Sequence, residues 1–215
     1  MEPYDLEEAL EKHVKPIIEE TIRKYIGVSI KELNKDITDK LRKNPLLEFE
    51  ADTSDPLKKA RLTFRKFYLE RLLKINFGDV TAVARICQVD RKTVHRMIRE
   101  LRINIRKCRQ AMLNPQYVKQ EALSTAIEET LKNYEGILHP QKLSKMYKGV
   151  GELSSNIMKQ LSLEFLPMKE AEHDFERRYI QKALRESGGN ITNAARKMKV
   201  RFETLHRKIK DLGIR

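Results

Sequence analysis

The sequence predicts an all-α protein made of two tandem repeats, and three observations lead to this prediction. Glycine and proline are scarce, with 8 and 7 of 215 residues, while Lys, Arg, Glu, Leu and Ile dominate and favour helix. Apolar residues recur at steps of three and four through most of the chain, which is the spacing of one helix face. Finally, a stretch of about 40 residues occurs twice.

The repeated stretch determines the organisation of the chain. Residues 64–103 align without a gap with residues 175–214, at an offset of about 111, and roughly 14 of about 40 positions are identical. The alignment keeps a glycine and several polar residues in register, at Gly78/Gly189, Thr81/Thr192, Thr93/Thr204 and His95/His206. Chance similarity between two helices would not do this. A match of residues 18–28 with 127–137 extends the repeat upstream.

Two domains are therefore predicted, one for each repeat. The first covers residues 1–110 and consists of a helical part (1–55) and a helix-turn-helix part (56–105). The second covers residues 111–215, again with a helical part (111–165) and a helix-turn-helix part (166–215).

The elements of the first repeat follow from periodicity and capping residues. The predicted helices cover residues 5–26, 29–41, 57–76, 81–87 and 91–101, and residues 44–56 form a loop. The first of these helices is continuous or divides near Pro16. Ser29 and Glu32 have the spacing of a capping box, and Asp79 and Asp90 are placed to cap the last two helices.

The second repeat follows the same order. Its predicted helices cover residues 116–134, 167–186, 192–198 and 202–212. Residues 136–166 are predicted to be irregular. Within them, residues 141–160 fit a flexible connector or a β-hairpin arm, and the sequence decides for neither.

Basic residues outnumber acidic ones. The chain has 44 Lys and Arg against 31 Asp and Glu, a formal net charge of +13 and a pI near 9.7, so a polyanionic partner is predicted. No apolar run approaches the roughly 18 residues that cross a bilayer, and the acidic N-terminus has no signal-peptide core. We therefore expect no membrane association and a cytoplasmic location.

The sequence offers no pattern of residues for catalysis or metal binding. It contains no paired carboxylates and no Ser-His-Asp or Cys-His set at a spacing suited to catalysis. It also lacks a glycine-rich loop for binding phosphate. Cys87 stands where the second repeat has Met198, so we predict that it fills the core rather than binding zinc. Neither an enzyme nor a cofactor is expected.

Each repeated stretch contains a helix-turn-helix pattern. The small residues Ala84 and Ala195 let two helices cross closely, and Val89 and Val200 fill the turn between them. The second helix of each motif has an apolar stripe, formed by Val94, Ile98 and Leu101 in one repeat and by Leu205, Ile209 and Leu212 in the other. Its opposite face is polar and basic, as required for a helix that enters the major groove.

The segment 188–214 resembles the helix-turn-helix of the Fis family of nucleoid proteins, and it is similar to the DNA-binding domains of enhancer-binding activators. The resemblance is close over roughly 50 residues of the second repeat and looser over about 40 of the first. It implies double-stranded DNA as the partner, with the transcription machinery as a further one. The ATPase of those activators is not expected, because its phosphate-binding loop is missing from the sequence.

The resemblance also implies which residues contact DNA. In the first repeat these are Arg91, Lys92, Thr93, His95, Arg96 and Arg99. Arg91 matches the arginine that reads a guanine edge, because its guanidinium meets both guanine acceptors at once. For Lys92 and Arg99, phosphate contact and a merely solvated helix face remain equally good interpretations.

The second repeat departs from this pattern. The implied contacts are Arg201, Phe202, Thr204, His206, Arg207 and Lys208. Phe202 stands in the position of Arg91. Two interpretations remain open: Arg201 reads the guanine in place of that arginine, or Phe202 contacts a thymine methyl group. The two motifs should therefore read different bases. His95 and His206 fit either DNA contacts or half-buried polar spacers.

Fis-type motifs act as two-fold dimers, so the resemblance implies an intramolecular pseudo-dimer with the long helices 57–76 and 167–186 packed together. In Fis this arrangement demands a bent site, which would make DNA deformability part of the selectivity. The predicted function is a transcriptional regulator that reads adjacent major-groove segments of an asymmetric site. A nucleoid-associated architectural protein and a helical protein–protein adaptor are the alternatives.

Overall fold

The computed structural model describes residues 6–49, 51–111, 113–161 and 163–214, and within these ranges it contains helices and no β-strand, which confirms the all-α class. Residues 5 and 50, part of a predicted helix and a predicted loop, lie outside the described ranges. The α-helices are α1 (Leu6–Ala9), α2 (Lys15–Ile26), α3 (Lys31–Arg42), α4 (Leu57–Ile75), α5 (Val80–Cys87), α6 (Arg91–Glu100), α7 (Ile105–Ala111), α8 (Pro115–Lys132), α9 (Pro140–Gln160), α10 (Met168–Glu186), α11 (Ile191–Lys197) and α12 (Phe202–Asp211). A π-helical turn (Leu10–Val14) joins α1 to α2, and a 3-10 turn (Pro45–Leu47) follows α3.

The chain divides into two compact units, each of which takes segments from both halves of the sequence. The helical unit comprises residues 1–48 and 114–164, and the motif unit comprises residues 49–113 and 165–215. The motif unit contains 29 Lys and Arg against 14 Asp and Glu, a net charge of +15, whereas the helical unit has 15 against 17, a net charge of −2. The excess base of the chain therefore belongs entirely to the motif unit.

In the helical unit, α9 packs against both α8 and α2, and α3 packs against α8. Its core consists of apolar side chains at helical spacing, among them Ile18, Ile22, Leu33, Ile37, Leu123, Ile127, Leu131, Val150, Leu153 and Ile157. Polar contacts join α3 to α8 and to the turn that follows α8. Tyr134 Oη donates to Asp36 Oδ2 (2.7 Å), and Lys40 Nζ lies 2.7 Å from Glu129 Oε2.

Helix α9 corrects the prediction for residues 136–166. The stretch 140–160 is neither a flexible connector nor a β-hairpin arm, and both alternatives are wrong. Pro140 occupies the first helical position, where a missing N–H costs nothing, and Gly149 lies at the contact with α2. A Cβ atom at Gly149 would stand 2.3 Å from Cε2 of the Tyr25 ring, so only glycine lets the two helices approach this closely.

The start of α3 corrects a second prediction. Its N-cap residue is Ile30, which makes no side-chain capping bond, so the capping box proposed for Ser29 and Glu32 is wrong. Ser29 Oγ donates instead to Glu19 Oε1 (3.0 Å), in the preceding helix. The residue that could cap α3 is thus engaged elsewhere.

In the motif unit the two long helices, α4 and α10, pack against each other. The rings of Phe64 and Phe175 stack with their centroids 4.5 Å apart and their planes 9° from parallel. Arg61 pairs with Glu176, and Arg65 pairs with Glu172. From Arg61 to Arg65 the residue number on α4 rises, while that of the glutamate partner on α10 falls from 176 to 172. The two helices therefore run antiparallel.

Two buried tyrosines extend this contact. Tyr68 Oη on α4 donates to the carbonyl of Leu166, and Tyr179 Oη on α10 donates to the carbonyl of Asp55, at 2.6 and 2.5 Å. Burial raises the pKa of Tyr68 above its ordinary range, and burial with nearby aspartates raises the pKa of Tyr179 to about 12. Both phenols therefore stay protonated and keep donating.

Candidate nucleic-acid interface

The helix pairs α5–α6 and α11–α12, called the first and the second motif below, turn in the same way. In each pair the first helix is followed by a residue in the left-handed region, Gln88 (φ 51°) directly after α5 and Lys199 (φ 53°) two residues after α11. The amides of the next residues then bond back to the carbonyls of Ala84 (3.1 Å) and Ala195 (3.0 Å), which closes a Schellman motif. The turn geometry is thus shared although the side chains differ.

The starts of α5 and α11 are both capped by a side chain, and the cap at Asp79 is the one that the sequence predicts. Asp79 accepts hydrogen bonds from the amides of Thr81 (2.7 Å) and Ala82 (3.2 Å), and these bonds lower the pKa of its carboxyl. Asn190 plays the same part for α11 by accepting from the amide of Asn193. Asp90 is the N-cap residue of α6, as the sequence predicts, but its side chain makes no capping hydrogen bond.

The predicted buried stripe of the second motif helices is largely confirmed. Val94, Ile98, Leu205 and Leu212 are buried, as are the small residues Ala84 and Ala195 beneath them. Ile209 and Leu101 are only half-buried. Packing against this stripe determines which face of α6 and α12 remains in solvent.

The exposed face of α6 carries the predicted basic residues. Arg91, Lys92, His95, Arg96 and Arg99 are exposed, and Thr93 is half-buried. Arg96 Nε lies 3.9 Å from Glu100 Oε1, but both side chains are more than half exposed, so this pair is weak and leaves Arg96 accessible. The first motif therefore presents a continuous cationic face.

The exposed face of α12 is less uniform. Arg201, Phe202, His206 and Arg207 are exposed, and Thr204 and Lys208 are half-buried. Phe202 is a large apolar side chain with 45% of its surface in solvent, and its ring stacks on that of His206 at 6.0 Å. The aromatic pair occupies the part of α12 where α6 has Arg91 and His95.

Lys208 behaves differently from the other residues in this set. Its Nζ lies 2.5 Å from Glu176 Oε2, a carboxylate on α10 whose side chain is only 10% exposed. The structure therefore directs Lys208 toward the long helix rather than outward with Arg207. The sequence could not indicate this, because the partner lies in another helix.

Arg109 is a basic residue beside the candidate interface, and the sequence does not predict it. It lies on α7, a helix that was not predicted, and it lines the same surface depression as Arg91 and His95 of α6. Its side chain packs over Gly78: a Cβ atom there would stand 2.6 Å from Arg109 Cγ. The resemblance stops before residue 105, so only the packing of α7 indicates this placement.

A helix-turn-helix with an exposed cationic second helix defines a class of DNA-binding proteins. Residues 173–212, which include α11 and α12, match the family model described as bacterial regulatory protein, Fis family. This segment is a Fis-type helix-turn-helix, which suggests a DNA-binding regulator, and the family is not an enzymatic one. No curated protein and no solved structure matches the chain.

The described residues offer little for other kinds of site. Among them, no group of three or more His, Cys, Asp or Glu side chains is arranged to hold a metal ion. Cys87 and Cys108 are buried free thiols, and burial raises the pKa of Cys87 to about 12, which confirms that Cys87 fills the core. No helix in the described ranges is long and apolar enough to span a bilayer.

Proposed function

We propose that the chain is a transcriptional regulator in which α6 and α12 enter adjacent major-groove segments of one DNA duplex. The observation that carries this proposal is the Fis-type motif at residues 173–212, set in a unit that has a net charge of +15. A regulator is preferred over an architectural protein because the family model that residues 173–212 match is described as a bacterial regulatory protein.

The first motif belongs to the proposal because its backbone copies that of the second. Positive φ angles occur in pairs at the repeat offset, at 77/188, 78/189, 88/199 and 102/213. Together with the shared Schellman bonds, these pairs support one fold for both motifs. The exposed arginines of α6 then supply the second half of a binding surface.

The two halves should recognise different sequences. Arg91 of the first motif is suited to a guanine, whereas Phe202 of the second offers an apolar ring to a thymine methyl. Arg96 and Arg207 occupy the same place in both motifs and are proposed to bind phosphate or base edges. The proposed operator is therefore asymmetric.

The two repeats are proposed to interleave as an intramolecular pseudo-dimer. Support comes from equivalent residues that meet each other, Phe64 with Phe175, and from the hydrogen bonds of Tyr68 and Tyr179, which exchange between the repeats. Because both halves belong to one chain, assembly would not depend on protein concentration. A fixed spacing of α6 and α12 would favour DNA that bends easily.

The test compares recognition-helix variants with a charge-matched control. Arg91→Ala/Arg96→Ala should weaken binding to a pool of sheared bacterial genomic DNA at 150 mM salt by about tenfold or more, because each lost contact removes about 1 kcal/mol or more. The control, Arg23→Ala/Lys31→Ala, removes two exposed basic residues of the helical unit and should bind like the parent chain. Equal affinities for the two variants, measured by fluorescence anisotropy, would exclude α6 from the interface.

A further inference from the structure

Three buried positions of α4 and α10 do not distinguish the two repeats. At the repeat offset, Ala60 corresponds to Ala171, Phe64 to Phe175 and Tyr68 to Tyr179, and all six side chains are buried. A surface that is the same on both partners is self-complementary. We call the contact between α4 and α10 the seam. Its shared positions would allow the first repeat of one chain to pair with the first repeat of another.

The polar residues beside this seam do distinguish the repeats. At the same offset Arg61 corresponds to Glu172, and Arg65 corresponds to Glu176, so the first repeat is basic where the second is acidic. Arg61 Nη1 lies 3.1 Å from Glu176 Oε1, and Arg65 Nη2 donates to Glu172 Oε2 at 3.0 Å. A second bond, from Arg65 Nε to Glu172 Oε1, makes this pair bidentate.

These ion pairs are more protected than ordinary surface pairs. The side chains of Glu176 and Glu172 are only 10% and 16% exposed, and that of Arg65 is 25% exposed, whereas that of Arg61 is 41% exposed. Charges in such positions are weakly screened by salt, and an unmatched charge there is costly. The sign of the charge at these four positions therefore has a large effect on which helices can pair.

We propose that the Arg61/Arg65 and Glu172/Glu176 pairs select the pairing partner, so that the first repeat joins the second repeat of its own chain and not a like repeat of another. In the antiparallel seam, pairing of two first repeats would place Arg61 against Arg65 twice. Pairing of two second repeats would place Glu172 against Glu176 twice. This inference rests on the proposed pseudo-dimer and adds the means by which like repeats are rejected.

The test exchanges charges without changing their number. Arg65→Glu/Glu176→Arg makes both ion pairs of the native seam repulsive, while it makes pairing of like repeats attractive. The fourfold reversal, which adds Arg61→Glu and Glu172→Arg, restores attraction between unlike repeats with inverted polarity. All variants and the reference carry Lys208→Gln, because Lys208 Nζ also faces Glu176.

The expected result is a loss of stability that the fourfold reversal repairs. The twofold variant should unfold about 5 °C or more below the reference and shift toward a dimer of the 25.3 kDa chain as its concentration rises. The fourfold variant should be monomeric and unfold within about 2 °C of the reference. The inference is overturned if the twofold variant unfolds like the reference, stays monomeric at all concentrations, or is no less stable than the fourfold variant.

Thermal unfolding and light scattering are measured without DNA, so neither depends on DNA contacts. A failure here would leave the loss of DNA affinity in Arg91→Ala/Arg96→Ala intact, and with it the proposed function. Unchanged DNA affinity in that variant would instead remove α6 from the DNA surface, whatever the charge exchange showed.

Discussion

Two residues of the first motif hold a backbone conformation that glycine holds in the second. Phe77 (φ 52°) and Arg102 (φ 52°) have the left-handed geometry of Gly188 (φ 59°) and Gly213 (φ 62°). A side chain with a Cβ atom is strained in this region by about 1–2 kcal/mol. At the residue scale, then, the first motif tolerates strain that the second avoids.

Phe77→Gly should therefore raise the free energy of unfolding, by about 0.5–1 kcal/mol once the greater freedom of glycine in the unfolded chain is counted. The ring contributes little packing, since 56% of its surface is exposed. Urea unfolding measures the change, and the reverse substitution, Gly188→Phe, should lower stability. A loss of stability in Phe77→Gly would mean that the ring makes contacts worth more than the strain.

Single residues differ in how well the sequence predicts them. The cap at Asp79 and the burial of Cys87 depend on near neighbours and on the repeat, and the structure confirms both predictions. The placement of the Lys208 side chain depends on Glu176, and that of Arg109 depends on Gly78. Both partners lie in other parts of the fold. Local sequence does not contain those partners.

Helix α9 is the element where local and tertiary preferences disagree most. Two glycines within three residues, Gly149 and Gly151, lower its helix propensity, so the sequence pattern indicates irregular structure. The Tyr25 ring fills the space that a side chain at Gly149 would take, whereas nothing lies within 4 Å of a Cβ at Gly151. Packing against α2 therefore stabilises a helix that its own residues disfavour.

These two glycines should respond in opposite ways to alanine. Gly151→Ala should stabilise the chain by about 0.5–1 kcal/mol, because it improves helix propensity in open space. Gly149→Ala should destabilise it by about 1–3 kcal/mol, because the new methyl group would overlap the Tyr25 ring. Denaturant unfolding of both variants gives the comparison, and stabilisation by both would show that α2 and α9 are not in close contact there.

The other elements were predicted with better success. Helices α4, α5, α6, α10, α11 and α12 begin and end within one or two residues of the predicted bounds, because each has a regular apolar stripe and a clear turn residue. Helix α7 was missed, since it lies beyond the repeated stretch. Its only local signal is Asn104, whose Oδ1 accepts from the amide of Lys107.

At the scale of the whole molecule, the division of charge matters most. One compact unit is nearly neutral, at −2, and the other carries +15 together with the helix pairs α5–α6 and α11–α12. The sequence predicts a basic protein and the duplication, but only the contacts show that segments from both halves share each unit. Sequence order alone cannot predict this grouping, because it depends on which distant helices pair.

The most direct measurement is hydroxyl-radical footprinting of the chain on a 40-base-pair duplex selected from random sequence, with stoichiometry from native mass spectrometry. We predict one chain per duplex and two protected segments about one helical turn, roughly 10 base pairs, apart. Arg91→Ala/Arg96→Ala should weaken protection in one segment and Arg201→Ala/Arg207→Ala in the other. A single protected segment, or two that require two chains, would contradict the proposal that one chain grips neighbouring grooves with both motifs.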